Sequence, residues 1–166
     1  MNPLLILALV VALSLPTGGQ KKLREIDLRV SGVGSGTPDS VVAKTFGRPL
    51  RIKRENTNAD LSCSGEAETS LTYFYPGLEI ALIGIGKARQ LQVYSIEVTS
   101  PKWVASGIRI GASMTDVLAK FGKPISKEER AGEMIFVYVT KGNLGGVDFY
   151  FRGNRLVRIS MSETLC

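Results

Sequence analysis

Gly111-Ala112-Ser113-Met114-Thr115-Asp116-Val117-Leu118-Ala119-Lys120-Phe121-Gly122-Lys123-Pro124 repeats a pattern already written at Gly36-Thr37-Pro38-Asp39-Ser40-Val41-Val42-Ala43-Lys44-Thr45-Phe46-Gly47-Arg48-Pro49. At a constant offset of 75, Gly36 meets Gly111, Ser40 meets Thr115, Val42 meets Val117, and Phe46-Gly47-Arg48-Pro49 meets Phe121-Gly122-Lys123-Pro124. Solenoid repeats run at about 20 to 50 residues, so this longer period marks a duplicated small module. Each copy of the pattern reads as one short helix. Val41, Val42 and Phe46, like Val117, Leu118 and Phe121, recur at helical spacing. Thr37 and Pro38 read as N-cap and first turn, and Ser113 with Asp116 has capping-box spacing. Gly47 and Gly122 suit the C′ position, and the proline two residues on blocks continuation, leaving about three turns.

Outward from the helices the pattern changes period. Before them lie short extended segments, with Ile26, Leu28 and Val30 in the first copy and residues 103–110 in the second. After them, residues 71–75 and 135–139 are rich in β-branched and aromatic side chains, while 78–82, 94–98, 147–151 and 157–161 alternate with period two. Glycine-containing turns at 84–87 and 153–154 join them. The first copy carries about twelve extra polar residues between helix and sheet, within 53–68, and 56–60 reads as exposed loop. The expectation is an α+β fold of two tandem pseudo-symmetric modules, residues 22–99 and 101–166. Each would be a short helical element packed on an antiparallel three- to four-stranded meander.

Alternation sorts the sheet faces. Leu78, Ile80, Leu82, Tyr94, Ile96, Val98, Val147, Phe149, Phe151, Val157, Ile159 and Met161 are expected against the helices. Glu79, Ser95, Glu97, Asp148, Tyr150, Arg158 and Ser160 are expected on the other face. In 71–75 and 135–139 both faces are apolar, so alternation leaves Tyr73, Tyr75, Phe136 and Tyr138 unassigned. The candidate binding face is therefore Tyr73, Tyr75, Glu79, Glu97, Tyr138, Asp148, Tyr150 and Arg158.

Residues 1–20 carry no charge, and the apolar run from Pro3 to Leu15 is shorter than the roughly 20 residues a spanning helix needs. The run suits a secretory h-region followed by small residues, Thr17-Gly18-Gly19; a short uncleaved anchor and a buried strand are the alternatives. Removing a signal peptide of residues 1–20 leaves 146 residues, enough for one domain or two very small ones. All the charge lies beyond it, with 21 basic against 15 acidic residues, net +6. The basic residues are dispersed, in runs of two at most, which argues against nucleic acid and for a cationic soluble surface; attraction to an anionic membrane surface is the secondary expectation. Cys63 and Cys166 are the chain's two cysteines. In an oxidising compartment they form a disulfide, the alternative being two unrelated thiols.

The chain has no histidine, which removes Ser-His and Cys-His dyads and the commonest metal ligand. It also lacks any CxxC or acidic calcium loop. Glu79 and Glu97 on adjacent strands form a carboxylate pair, which a solvated sheet face explains as well as chemistry does. Gly32-Val33-Gly34-Ser35-Gly36 before a helix has the form of a phosphate-cradling turn, or of a structural one. No catalytic residue, metal site or cofactor is expected.

The signature G-I-x-I-G-x-S/T-x-x-x-V-L-x-x-F/L-G-x-P is carried by Gly107-Ile108-Arg109-Ile110-Gly111, Thr115, Val117-Leu118, Phe121-Gly122 and Pro124. The first copy keeps it at Gly36, Ser40, Val42, Phe46-Gly47 and Pro49. In tandem, this resembles the β-lactamase inhibitory protein fold and the related SmpA/OmlA outer-membrane assembly lipoproteins, over nearly all of the chain after residue 20. The resemblance implies exported, non-enzymatic proteins that bind other proteins, the inhibitors through a sheet surface. It departs from the lipoproteins in having no cysteine near residue 20. The functional expectation is a periplasmic or secreted, non-catalytic module that binds another exported or envelope protein. Binding of envelope lipid or glycan, and inhibition of a secreted hydrolase, are the alternatives.

Overall fold

Helix α1 is Asp39–Phe46 and helix α2 is Met114–Phe121, the same eight-residue frame 75 positions apart. Both stop for one reason. Gly47 (φ 72°) and Gly122 (φ 79°) take a left-handed backbone and return their N–H groups to Ala43 O and Leu118 O, a conformation that costs glycine least. Their starts differ. Ser113 and Asp116 form a complete capping box, and the hydrogen bonds from Ser113 hold the Asp116 carboxyl below its ordinary pKa. In α1 the N-cap is Pro38, which has no side chain to cap with, while Thr37 Oγ1 accepts from Gly34 N–H.

A computed structural model describes residues 25–57, 65–85, 90–140 and 145–163. Its strands are β1 (Glu25–Ile26), β2 (Arg51–Thr57), β3 (Glu68–Tyr75), β4 (Leu78–Ile85), β5 (Gln92–Val98), β6 (Ser126–Arg130), β7 (Glu133–Thr140), β8 (Gly145–Arg152) and β9 (Arg155–Glu163). They form one nine-stranded sheet in the order β1-β7-β8-β9-β5-β4-β3-β2, with β6 also on β7. Residues 1–20, expected to be a signal peptide, and Cys63 and Cys166, expected to form a disulfide, lie outside the described residues.

This overturns the expected α+β fold of two tandem modules. The chain is mainly β, and the helix-plus-meander halves share a single sheet. Strand β5 pairs antiparallel with β9, placing Ile96 beside Met161 and Val98 beside Ile159. Strand β1 crosses from the first half to pair in parallel with β7 of the second, Ile26 beside Thr140. The segment 103–110 is not a strand. Ala105 and Ile108 close a tight turn there, as Val30 and Val33 do 75 positions earlier.

Two further expectations fail for physical reasons. The exposed loop expected at 56–60 begins as strand, with Asn56 and Thr57 paired to Thr69 and Glu68 at the end of β2, because an edge strand satisfies its backbone on one side and exposes its side chains. Tyr94 and Val157 do not face the helices. Each is the extra residue where the register slips, between Ala81/Leu82 and between Tyr150/Phe151, so Val93 and Leu156 take the core positions instead.

The core lies on one face only. Leu78, Ile80, Leu82, Ile96, Val98, Phe149, Phe151 and Ile159 are fully buried there, together with Val42 of α1 and Val117 of α2. Each such side chain stabilises by about 1.5–3 kcal/mol before entropy. The helices are tied to the sheet twice over. Val93 N–H donates to Thr37 O and Leu156 N–H to Ala112 O, while Gly36 N–H donates to Val93 O and Gly111 N–H to Leu156 O.

Candidate functional site

The face away from the helices is built by the alternate residues of the same strands. Register runs one row across the sheet: Arg51, Phe74, Glu79, Glu97, Ser160, Asp148, Val137 and Ser126. A second, shorter row holds Arg158, Tyr150, Ile135 and Glu128. Both rows cross the junction of the halves or abut it, so the centre of this face exists only because β5 and β9 pair.

Arg158 is the hub. Its guanidinium lies 3.7 Å above the Tyr150 ring, with Nη1 3.8 Å from Glu97 and Nη2 4.0 Å from Glu133. Tyr150 O–H donates to Asp148 Oδ2 at 3.3 Å, and Arg152 reaches Glu133 at 2.9 Å. Glu97, Glu133, Asp148, Tyr150 and Arg158 are half-buried by their neighbours, whereas Arg152 is exposed. Burial pushes the Glu97 carboxyl above its ordinary pKa, opposed by Arg158 and reinforced by Glu79. Burial raises Asp148 too, with the Tyr150 hydrogen bond pulling it back. The Tyr150 hydroxyl is raised by burial and by Asp148. Ile135, buried although it belongs to this face, and half-buried Val137 and Val139 give the second half an apolar margin. At the opposite end Arg51 stacks 3.8 Å over Phe74.

Of the eight residues singled out by sequence, Glu79, Glu97, Asp148, Tyr150 and Arg158 meet on this face. Tyr73, Tyr75 and Tyr138 lie on the other. Tyr73 O–H donates to Asp39 Oδ1 of α1, Tyr75 O–H to Gly47 O, and Tyr138 O–H to Gly122 O. They buttress the helices, and burial pushes Tyr73 and Tyr138 up to about 12. Sequence reasoning passed over Phe74, Ile135 and Val137, whose place on the site face follows once Tyr75 and Tyr138 are assigned to the core. It also passed over Glu133 and Arg51, which carry no signal beyond their charge.

Hydrogen bonding answers one chemical alternative. Val33, Gly34 and Gly36 N–H groups donate to Val30 O, Thr37 Oγ1 and Val93 O, so the Gly32–Gly36 segment is a structural turn with these donors already used. Among the described residues no three carboxylate or thiol groups converge to hold a metal ion, and no helix is long and apolar enough to cross a membrane. The arrangement offers half-buried carboxylates, a stacked guanidinium and apolar flanks, which is equipment for recognising hydrogen-bond donors and cations beside apolar groups.

No family model matches the chain, and no curated protein does. Among solved structures, an extracellular protein with an SCP domain from Bacillus anthracis superposes with a TM-score of 0.47 at 12% identity, over 77% of this chain and 43% of its own. The chain thus spans less than half the length of that protein. YjgB, a DUF4309 family protein of Bacillus subtilis, gives 0.38 at 10% identity over 76% of this chain and 78% of its own. A "putative beta-lactamase inhibitor protein" of Streptococcus mutans gives 0.29 at 19% identity, over 73% and 79%. Likeness this remote assigns no role to any residue.

Proposed function

We propose that the chain is an exported, non-catalytic module that binds another exported or envelope protein through the sheet face opposite its helices. One observation carries the reading: Glu97 and Asp148 stand half-buried in a single row with only partial pairing, their carboxyls held above the ordinary range. Withdrawing carboxylates from water in this way costs stability. A face shaped for stability alone would carry neutral residues there, and sites that sacrifice stability are where function concentrates. Tyr150 and Arg158, stacked at the centre, belong to the residue types that anchor protein interfaces. Both helices and the turns at Val30–Val33 and Ala105–Ile108 pack on the far side, so among the described residues none of them covers this one.

The test is photo-crosslinking in an envelope and culture-fluid extract. Ser160, central in the row, is replaced by benzoylphenylalanine, and Lys44, exposed on α1, serves as the control position. A discrete protein adduct from position 160 and none from position 44 supports the reading. Recovery of lipid or glycan alone, or equal adducts from both positions, would overturn it.

A further inference from the structure

The two ends of the sheet are not alike. At one end the outer side of β7 is covered by β6 and β1. At the other, β2 runs for seven residues, Arg-Ile-Lys-Arg-Glu-Asn-Thr, and among the described residues no strand pairs with its outer side. Residues 51–56 are all exposed. Alternate residues of such an edge turn both N–H and C=O into solvent, a template for another strand.

The duplication provides an internal comparison. At the offset of 75, Leu50 corresponds to Ile125 and Ile52 to Lys127. Leu50 is 76% exposed and Ile52 55%, so the first copy displays an isoleucine in water where the second has a lysine. Ile52 stands beside Tyr73, the residue that holds Asp39 of α1, so its side chain is on the helix side of the edge. Charge differs as well. In β6, Lys127 and Arg130 balance Glu128 and Glu129, whereas in β2 Arg51, Lys53 and Arg54 outnumber Glu55. An edge kept safe by charge alone needs no exposed isoleucine beside it.

We propose that β2 is a docking edge, to which an extended acidic segment of a partner protein adds as a further strand. Main-chain hydrogen bonds hold the segment and set its direction. Leu50 and Ile52 receive its apolar side chains on the helix side. Arg51, already stacked on Phe74, and Lys53, which shares its charge with Glu55 at 2.8 Å, receive carboxylates on the other, with Arg54 beside Ile52. The sign of the edge selects the occupant: an acidic strand is attracted to three cations, and a second copy of β2 brings the same three and is repelled. This edge meets the Glu97–Asp148 row at Arg51 and Phe74, but the backbone of β2, Ile52, Lys53 and Arg54 lie outside that row, so either stands if the other fails.

The probe is the peptide acetyl-(Val-Glu)4-amide, with acetyl-(Val-Lys)4-amide as control, read by titration calorimetry and by hydrogen exchange of the full chain. The acidic peptide should bind and slow exchange of the amides in 51–57, and the basic one should do neither. Ile52→Lys, which copies the residue at 127, should weaken binding about tenfold or more. A triple variant, Arg51→Glu with Lys53→Glu and Arg54→Glu, should exchange the preference between the peptides. If its circular dichroism departs from the parent, Ile52→Lys decides, since that side chain is exposed. Absence of binding, equal binding of both peptides, protection outside 51–57, or a concentration-dependent dimer that protects β2 would each overturn the proposal.

Discussion

Replacing Tyr138 by phenylalanine removes one oxygen and tests whether the two halves fold as one sheet. Tyr138 is 1% exposed and its O–H donates to Gly122 O at 2.9 Å, fastening the end of α2 to β7. Its counterpart Tyr75 is 7% exposed and donates to Gly47 O at 3.2 Å, beside a glycine open to solvent. Loss of the first bond leaves a carbonyl that water reaches poorly, at a cost of about 1–2 kcal/mol, whereas water replaces the second for about 0.5–1 kcal/mol. For a chain of this size those costs lower Tm by roughly 2–8 °C and 1–4 °C. The sites sit in opposite halves without shared partners, so the double variant should show the sum to within about 0.5 kcal/mol. Calorimetry with circular dichroism reads the shape of the transition. Because β5–β9 pairing makes one sheet, Tyr138→Phe should move a single transition as a whole. Two transitions, one of them unshifted, would refute the reasoning. The pH dependence has a definite sign. A tyrosine raised to about 12 contributes stability that is complete below pH 10, its ordinary pKa, and lost as pH rises toward 12. Tyr138→Phe should therefore flatten the alkaline fall.

Asp148, raised by burial, favours the folded state when protonated, so its contribution is present below its ordinary pKa near 4 and lost as pH rises through the folded value. Asp148→Asn should raise Tm at pH 7 and leave it unchanged at pH 3; a fall at pH 7 would show that the carboxylate is stabilising. In Gly145→Ala the new Cβ would overlap the Ser162 carbonyl across the β8–β9 pairing. A loss of more than about 2 kcal/mol in urea unfolding is expected, and a neutral result would contradict that close approach.

The helix frame was legible because glycine and proline act locally: Gly47-Arg48-Pro49 and Gly122-Lys123-Pro124 stop a helix wherever the chain goes next. Period-two alternation likewise placed Ile80, Ile96, Phe149 and Ile159 on one face and Glu79, Glu97, Asp148 and Arg158 on the other. The joining of the halves was not legible, since nothing in Gln92–Val98 names Arg155–Glu163 as its neighbour and a strand edge looks the same whether it meets water or another strand. Bulges defeated strict alternation at Tyr94 and Val157, where one extra residue turns the side chain over. Tyr75 and Tyr138 were ambiguous because Phe74 and Val137 beside them are also apolar. A signal was present in the repeat itself. Tyr75 and Tyr138 lie 63 apart while the helices lie 75 apart, so the first copy carries twelve more residues between helix and tyrosine, and both tyrosines meet the same helix-end glycine.

If the face opposite the helices binds a partner protein, the Tyr150–Arg158 stack is the centre that recognises it. Titrating the protein captured at position 160 against the parent chain and Tyr150→Ala, with Tm recorded on the same samples, tests this directly. Tyr150 is half-buried and stacked on one side by Arg158. An interface role predicts at least a tenfold loss of affinity, about 1.4 kcal/mol or more, with Tm lowered by only a few degrees. Unchanged affinity with a large fall in Tm would contradict it, and would make Tyr150 a residue of the fold and not of the interface.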